Sequence, residues 1–243
     1  MTETITISDT PVYVSKPEGG IKGGLIIIHE IWGLNDHARD VADRYAAEGY
    51  LVYAPDLLSH TDIKEKASVQ MQHDLFNPEK RSEVQPLLMD IITPTHSPDF
   101  VSKTVEVLKD IFTALYSRPE VNEKVGVLGF CFGGTYSVNL AVVEPRVLAV
   151  VSYYGSADQP VEDLKNIQAP ILAFYGEKDE NLASKLPDVE NRMYSAGVEF
   201  SYKVYGDCGH AFFNDSNPYA YNEVAAKDSW NRSIEFLDAN FSR

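Results

Sequence analysis

The sequence predicts an α/β fold, with a mostly parallel central sheet and helices on both faces. Apolar, β-branched strand candidates alternate with helical patterns along most of the chain. Several of those strands are continuous apolar runs, the pattern of strands buried on both faces. With 243 residues, 44% of them hydrophobic, the chain is expected to form one domain around a sizeable core.

Each element can be justified in turn. Thr4 to Val14 alternates roughly and reads as one or two edge strands. Gly23 to His29 is a continuous β-branched run, hence a buried strand, and Asp36 to Ala47 follows with helical spacing. Tyr50 to Ala54 is again a strand, stopped by Pro55-Asp56. From Leu57 to Pro98 the periodicity fades, and the stretch, about residues 57–100, is expected to be a lid-like insertion containing short helices. Phe100 to Tyr116 places Val101, Val105, Leu108, Phe112 and Leu115 on one helical face. Four more strands are expected at Val125 to Leu128, Leu148 to Tyr153, Ile171 to Tyr175 and Phe200 to Tyr205. Helical patterns separate the first pair and the last pair. Tyr221 to Phe241 closes the chain as a helix.

Composition excludes several function classes. The net charge of −15 repels nucleic acid and anionic membranes, so neither is an expected partner. No apolar run is long enough to cross a bilayer, and the N-terminus lacks the pattern of a secretory signal. Two cysteines are too few for a disulfide framework, which fits a cytoplasmic protein with reduced thiols. No paired His or Cys spacing suggests a metal site. Sequence leaves both a monomer and a homodimer open.

The strongest local signal is Gly129-Phe130-Cys131-Phe132-Gly133-Gly134, which follows an apolar strand and opens a helical pattern. The strand-turn-helix elbow of α/β-hydrolases, G-x-S-x-G, has this context, with Cys131 in the serine position. A helix N-terminus favours thiolate, the reactive form of cysteine. The competing reading makes Cys131 a small buried apolar residue.

Such enzymes order their residues as nucleophile, acid, then histidine. Asp179, just after the Ile171 to Tyr175 strand, is the expected acid, with Glu177 and Glu180 as competitors in the same turn. His210 is the only histidine beyond Asp179 and follows the last strand, so it is the expected base. An oxyanion hole needs two aimed donors. The N–H of Phe132 and the N–H of Ile31, in the loop after the first buried strand, are the candidates. Glu30 beside that strand is costly to bury alone, so it is either a site residue or a salt-bridged structural one.

With these residues placed, the chain resembles the dienelactone hydrolase (carboxymethylenebutenolidase) family of α/β-hydrolases. The resemblance runs from about Gly23 to Phe241. It rests on His29-Glu30-Ile31-Trp32-Gly33-Leu34-Asn35, Ala54-Pro55-Asp56-Leu57, the Cys131 elbow, Tyr153-Tyr154-Gly155, Gly176-Glu177-Lys178-Asp179 and Gly209-His210-Ala211-Phe212. It implies a cytoplasmic, cofactor-free Cys-His-Asp hydrolase of a small-molecule ester or lactone. It also implies that Glu30 holds the resting thiol until substrate releases it. Members that act on dienelactone grip its carboxylate with arginines, one of them just past the catalytic histidine. Here Ala211-Phe212-Phe213-Asn214-Asp215 contains none, leaving Arg81 in the insertion as the candidate cation. Trp32, Tyr154 and Phe212 are expected to contact substrate, with Phe130, Phe132 and Phe213 as further aromatic candidates for the wall. The alternative function is a thiol-redox or electrophile-binding protein using Cys131 without turnover.

Overall fold

The computed structural model describes residues 1–242. Eight strands form one sheet: β1 (Thr2–Ile7), β2 (Thr10–Ser15), β3 (Gly23–Ile28), β4 (Tyr50–Pro55), β5 (Val125–Phe130), β6 (Val150–Tyr153), β7 (Ile171–Gly176) and β8 (Phe200–Tyr205). Their order across the sheet is β1-β2-β4-β3-β5-β6-β7-β8. β1 and β2 form an antiparallel hairpin, and β2 pairs antiparallel with β4. Ser8 and Asp9 turn that hairpin, both at positive φ (47° and 61°), the conformation that matches strand twist in two-residue turns. From β4 to β8 every pairing is parallel. The fold is therefore the mostly parallel α/β-hydrolase sheet.

The β3 run shows why a continuous apolar string belongs here. Ile26 and Ile28 face a core shared with α5 (Pro98–Tyr116) and α6 (Phe132–Val143). Leu25 and Ile27 face the opposite core, shared with α1 (Asp36–Ala47) and α10 (Glu223–Phe241). Period-two side chains thus bury both faces, each large aliphatic residue contributing about 1.5–3 kcal/mol. The helix ends follow their sequence cues. Asn35 caps α1 by accepting from the Ala38 N–H, and Ser97 caps α5 by accepting from the Phe100 N–H, with Pro98 at its first position.

The stretch without clear periodicity is mostly helical. It folds as α2 (Ile63–Lys66), α3 (Val69–Phe76), α4 (Arg81–Ile92) and a 3₁₀ turn (Thr93–His96). Pro86 inside α4 hides that helix from a propensity reading. Two more four-residue helices, α7 (Val161–Leu164) and α8 (Glu180–Ala183), and α9 (Leu186–Ala196) complete the set. β3 lies between β4 and β5, so the chain leaves it in opposite directions across the sheet. At such a switch point the loops beyond the strand ends diverge and leave a crevice for a ligand.

Candidate active site

Cys131 sits between β5 and α6 at φ 54°, ψ −113°. Holding a non-glycine residue there costs about 1–3 kcal/mol, so neighbours must fix it. The Cys131 N–H donates to the Tyr153 carbonyl at 2.9 Å, and the Gly133 N–H donates to the His29 carbonyl at 3.1 Å. A Cβ on Gly129 would stand 2.0 Å from the Gly133 oxygen, and one on Gly133 would stand 2.1 Å from the Ile28 oxygen. Only glycine lets β5, the turn and α6 close this tightly. Phe132 opens α6, so its N–H is among the amides that a helix start leaves without an intrahelical acceptor.

Two further strand ends bring the other candidates in. Asp179 follows β7, its N–H bonded to the Gly176 carbonyl at 3.1 Å. The loop after β8 is tied to that turn by the Lys178 N–H, which donates to the Cys208 carbonyl at 2.8 Å. His210 rises from this second loop, and its Nδ1 lies 2.5 Å from Asp179 Oδ2. Burial alone would lower the His210 pKa; the Cys131 sulfur and the Asp179 carboxylate override it and hold the ring well above the ordinary histidine value. Glu177 instead accepts from the Asp207 backbone at 3.3 Å, and Glu180 is exposed. Cys208 is buried, and burial raises its thiol pKa.

Glu30 is buried on the loop after β3 and has only neutral partners. Tyr154 donates its hydroxyl to Oε1 at 3.1 Å, and Asn214 donates Nδ2 to Oε2 at 2.7 Å. Burial, then the Glu30 charge, push the Tyr154 pKa far up, so its hydroxyl stays a donor. The thiol contact that the resemblance implies is not among the Glu30 hydrogen bonds of the described residues; the Cys131 sulfur acts instead as one of the causes that raise the His210 pKa. His29 fixes the same loop. Its Nδ1 lies 2.6 Å from the Glu30 carbonyl and its Nε2 accepts from the Leu57 N–H at 3.1 Å. Burial lowers the His29 pKa, so the ring is neutral, with Nδ1–H as donor.

Glu30, Cys131, Phe132, Tyr154, Asp179 and His210 open into a cavity of about 600 Å³. The match to known proteins is direct. The family model for the dienelactone hydrolase family matches residues 10–241. A protein of Saccharolobus solfataricus named as a carboxymethylenebutenolidase is 31% identical over 239 residues, 93% of this chain and 92% of its own. Protein usf of Aquifex pyrophilus is 33% identical over 232 residues, 93% of this chain and 91% of its own. Among solved structures, a dienelactone hydrolase of Klebsiella pneumoniae superposes with a TM-score of 0.81 at 23% identity, covering 98% of each chain.

The chain belongs to the dienelactone hydrolase family. It is therefore an enzyme that hydrolyses carboxylic esters or lactones. In this member of the family, Glu30, Ile31, Trp32, Arg81, Cys131, Phe132, Tyr154, Asp179 and His210 all line the one cavity. Phe212 does not, which corrects the expectation that it contacts substrate. Ala211 takes positive φ (61°) and turns the chain, so Phe212 points inward, fully buried against Tyr154 and Tyr205 at ring-centroid distances of 5.5 and 5.1 Å. Phe130 and Phe213 likewise belong to the core beneath, their rings tilted with centroids 5.2 Å apart. Sequence reasoning also missed Asn214, His29 and the apolar wall from α3 and α4, which includes Leu75, Phe76, Leu88, Met89 and Ile92. The α4 stripe at 81, 85, 88, 89 and 92 has helical spacing and was available as a signal. No helix among the described residues is long and apolar enough to cross a membrane.

Proposed function

We propose that this enzyme works through a Cys131-His210-Asp179 triad, with the Ile31 and Phe132 N–H groups as oxyanion hole. The observation that carries the reading is Cys131 at positive φ on the first turn of α6, beside a His210 already bonded to Asp179. The Cys131 sulfur attacks the acyl carbon while the proton rests on His210. The carbonyl oxygen becomes an oxyanion held by the two N–H donors. Collapse expels the alcohol, which takes the His210 proton, and leaves a thioester on Cys131. The thioester sulfur carries no charge, so one cause of the raised His210 pKa disappears and burial again favours the neutral ring. Neutral His210 can then take a proton from water, whose oxygen attacks the thioester. The acid is released and the proton returns to the pair. Asp179 holds the tautomer throughout.

Glu30, locked by Tyr154 and Asn214, positions the loop that bears Ile31. The helices of residues 57–100 act as a lid, and the chain is read as one domain. Trp32 and Tyr154 contact the substrate, a small-molecule ester or lactone. The two free thiols fit a cytoplasmic enzyme, active as a monomer or homodimer.

The test is p-nitrophenyl acetate turnover by wild type and Cys131→Ala. The variant should keep its circular dichroism spectrum and lose several orders of magnitude in kcat/KM. Retention of more than a tenth of wild-type activity would sink the assignment. A single acyl burst in wild type, without turnover, would favour an electrophile-binding thiol.

A further inference from the structure

α6 is a buried helix with one opening. In its first two turns Phe132, Tyr136, Ser137, Val138 and Leu140 are buried, and only Thr135 and Asn139 are partly open. With Cys131 these form an i, i+4, i+8 line, and all three line the cavity. Asn139 therefore stands about 12 Å beyond the nucleophile along the helix axis. The path between is aromatic. Phe132 and Tyr136 border it, with rings 4.4 Å apart, and the Tyr136 hydroxyl donates to the Thr95 carbonyl at 3.2 Å.

The far end of the cavity is polar. Asparagine is an unfavourable residue inside a helix and needs a reason to be there. Asn139 Oδ1 accepts from Gln159 Nε2 at 2.5 Å. Among the described residues its own Nδ2 has no acceptor, and the residue lines the cavity. Gln159 Oε1 is buried without a partner at the same place. The Gln159 backbone is held in position by Arg192, whose Nη1 donates to its carbonyl at 2.7 Å. Ser156, tied to Thr135 Oγ1 through its N–H at 3.0 Å, and Asp158 line the cavity beside them. Asp158 is exposed and lies only loosely against Lys185 and Arg192, at 3.7 and 3.9 Å, so its carboxylate keeps acceptor capacity. An amide donor and a carboxylate acceptor in the same lining match a hydroxyl group, which both gives and accepts a hydrogen bond.

We propose that Asn139 and Asp158 form a distal site for a hydroxyl on the far arm of the substrate. The inference deepens the hydrolase reading above and rests on it. It defines the substrate as an ester or lactone whose arm is apolar near the reacting carbonyl and hydroxylated about two helical turns away.

The test uses p-nitrophenyl alkanoates of increasing chain length, each paired with the matching ω-hydroxyalkanoate. In short members the hydroxyl lies against Phe132 and Tyr136 and should lower kcat/KM. At the length that reaches Asn139 the sign should invert, favouring the hydroxylated ester by about fivefold, the worth of one neutral hydrogen bond. Asn139→Leu should remove the inversion. A hydroxyl that is neutral or harmful at every length overturns the proposal on wild type alone, whether or not the variant folds. An inversion that survives Asn139→Leu overturns it as well. Absence of Cys131-dependent turnover of any ester overturns the hydrolase reading instead, and turnover without the inversion overturns this inference alone.

Discussion

Two regions enclose the cavity and are held in different ways. The loops at the ends of β3, β5, β7 and β8 interlock through backbone bonds, such as Gly133 N–H to His29 and Lys178 N–H to Cys208, and bury Glu30, Ile31 and Phe132. The segment from α2 to the 3₁₀ turn lies over them with large apolar side chains in solvent: Val69 is 65% exposed, Leu87 55% and Met89 48%. Its ties to the body include the Tyr136 hydroxyl to the Thr95 carbonyl and the Lys64–Asp56 ion pair. Groups that must meet within tenths of an ångström sit on the sheet, and groups that only need to contact substrate sit on the cover. Local stability follows the same division, because regions with few buried contacts open first.

The comparison can be broken most severely at the triad. Asp179→Asn should lower kcat by about 10³–10⁴-fold, with KM changed little. It also removes one of the two groups that raise the His210 pKa, while burial, which lowers it, remains. NMR titration should therefore find the His210 ring above the ordinary histidine value in wild type and lower in the variant. The sign for stability follows. A raised folded-state pKa stabilises fully below the unfolded value and is lost as pH rises through the folded one. The stability gap between wild type and Asp179→Asn should thus be wider at acid than at alkaline pH in urea melts. A silent Asp179→Asn beside a damaging Glu177→Gln would transfer the acid role.

A second pair of variants sharpens the contrast in rigidity. A Cβ on Gly133 collides with the Ile28 backbone, which cannot move without shifting β3. Gly133→Ala should cost about 3 kcal/mol or more, at the upper end of overpacking effects. Leu87→Gln, on the exposed side of α4, should stay within about 0.5 kcal/mol. Equal losses in urea denaturation would show that the cover is as firmly built as the elbow.

The same division explains what sequence could show. The elbow was legible because its glycines and cysteine are adjacent and each answers a steric demand. Asp179 and His210 were legible as candidates because chain order and strand ends locate them. The partners of Glu30 were not, since Asn214 lies 184 residues away and its bond exists only once β3 and the β8 loop meet. Phe212 was misread because one positive φ at Ala211 reverses the direction of the side chain that follows. The cover escaped notice for another reason. The apolar stripe of α4 faces a cavity that also receives Arg81, Gln85 and His96, so its pattern is weaker than that of a helix packed on a core.

The smallest expected effect concerns charge in the cover. Arg81 lines the cavity and is exposed, and no ion pair among the described residues includes it. Among the described residues Arg81 is the only lysine or arginine in that lining, Asp158 lies against Lys185 and Arg192 and Asp179 is bonded to His210, while the chain as a whole carries a net charge of −15. Neutral aryl or short alkyl esters should therefore show higher kcat/KM than a carboxylate-bearing dienelactone. A charge-assisted hydrogen bond is worth about 1.5–3 kcal/mol, or roughly ten- to a hundredfold in affinity, and solvent screening places Arg81 at the lower end. Arg81→Ala should cost the dienelactone about tenfold and the neutral esters less than about twofold. Added salt should shrink the difference, because an exposed charge pair is screened within a Debye length. A dienelactone preferred tenfold by both wild type and Arg81→Ala would refute the argument, since carboxylate recognition would then reside in the rigid loops.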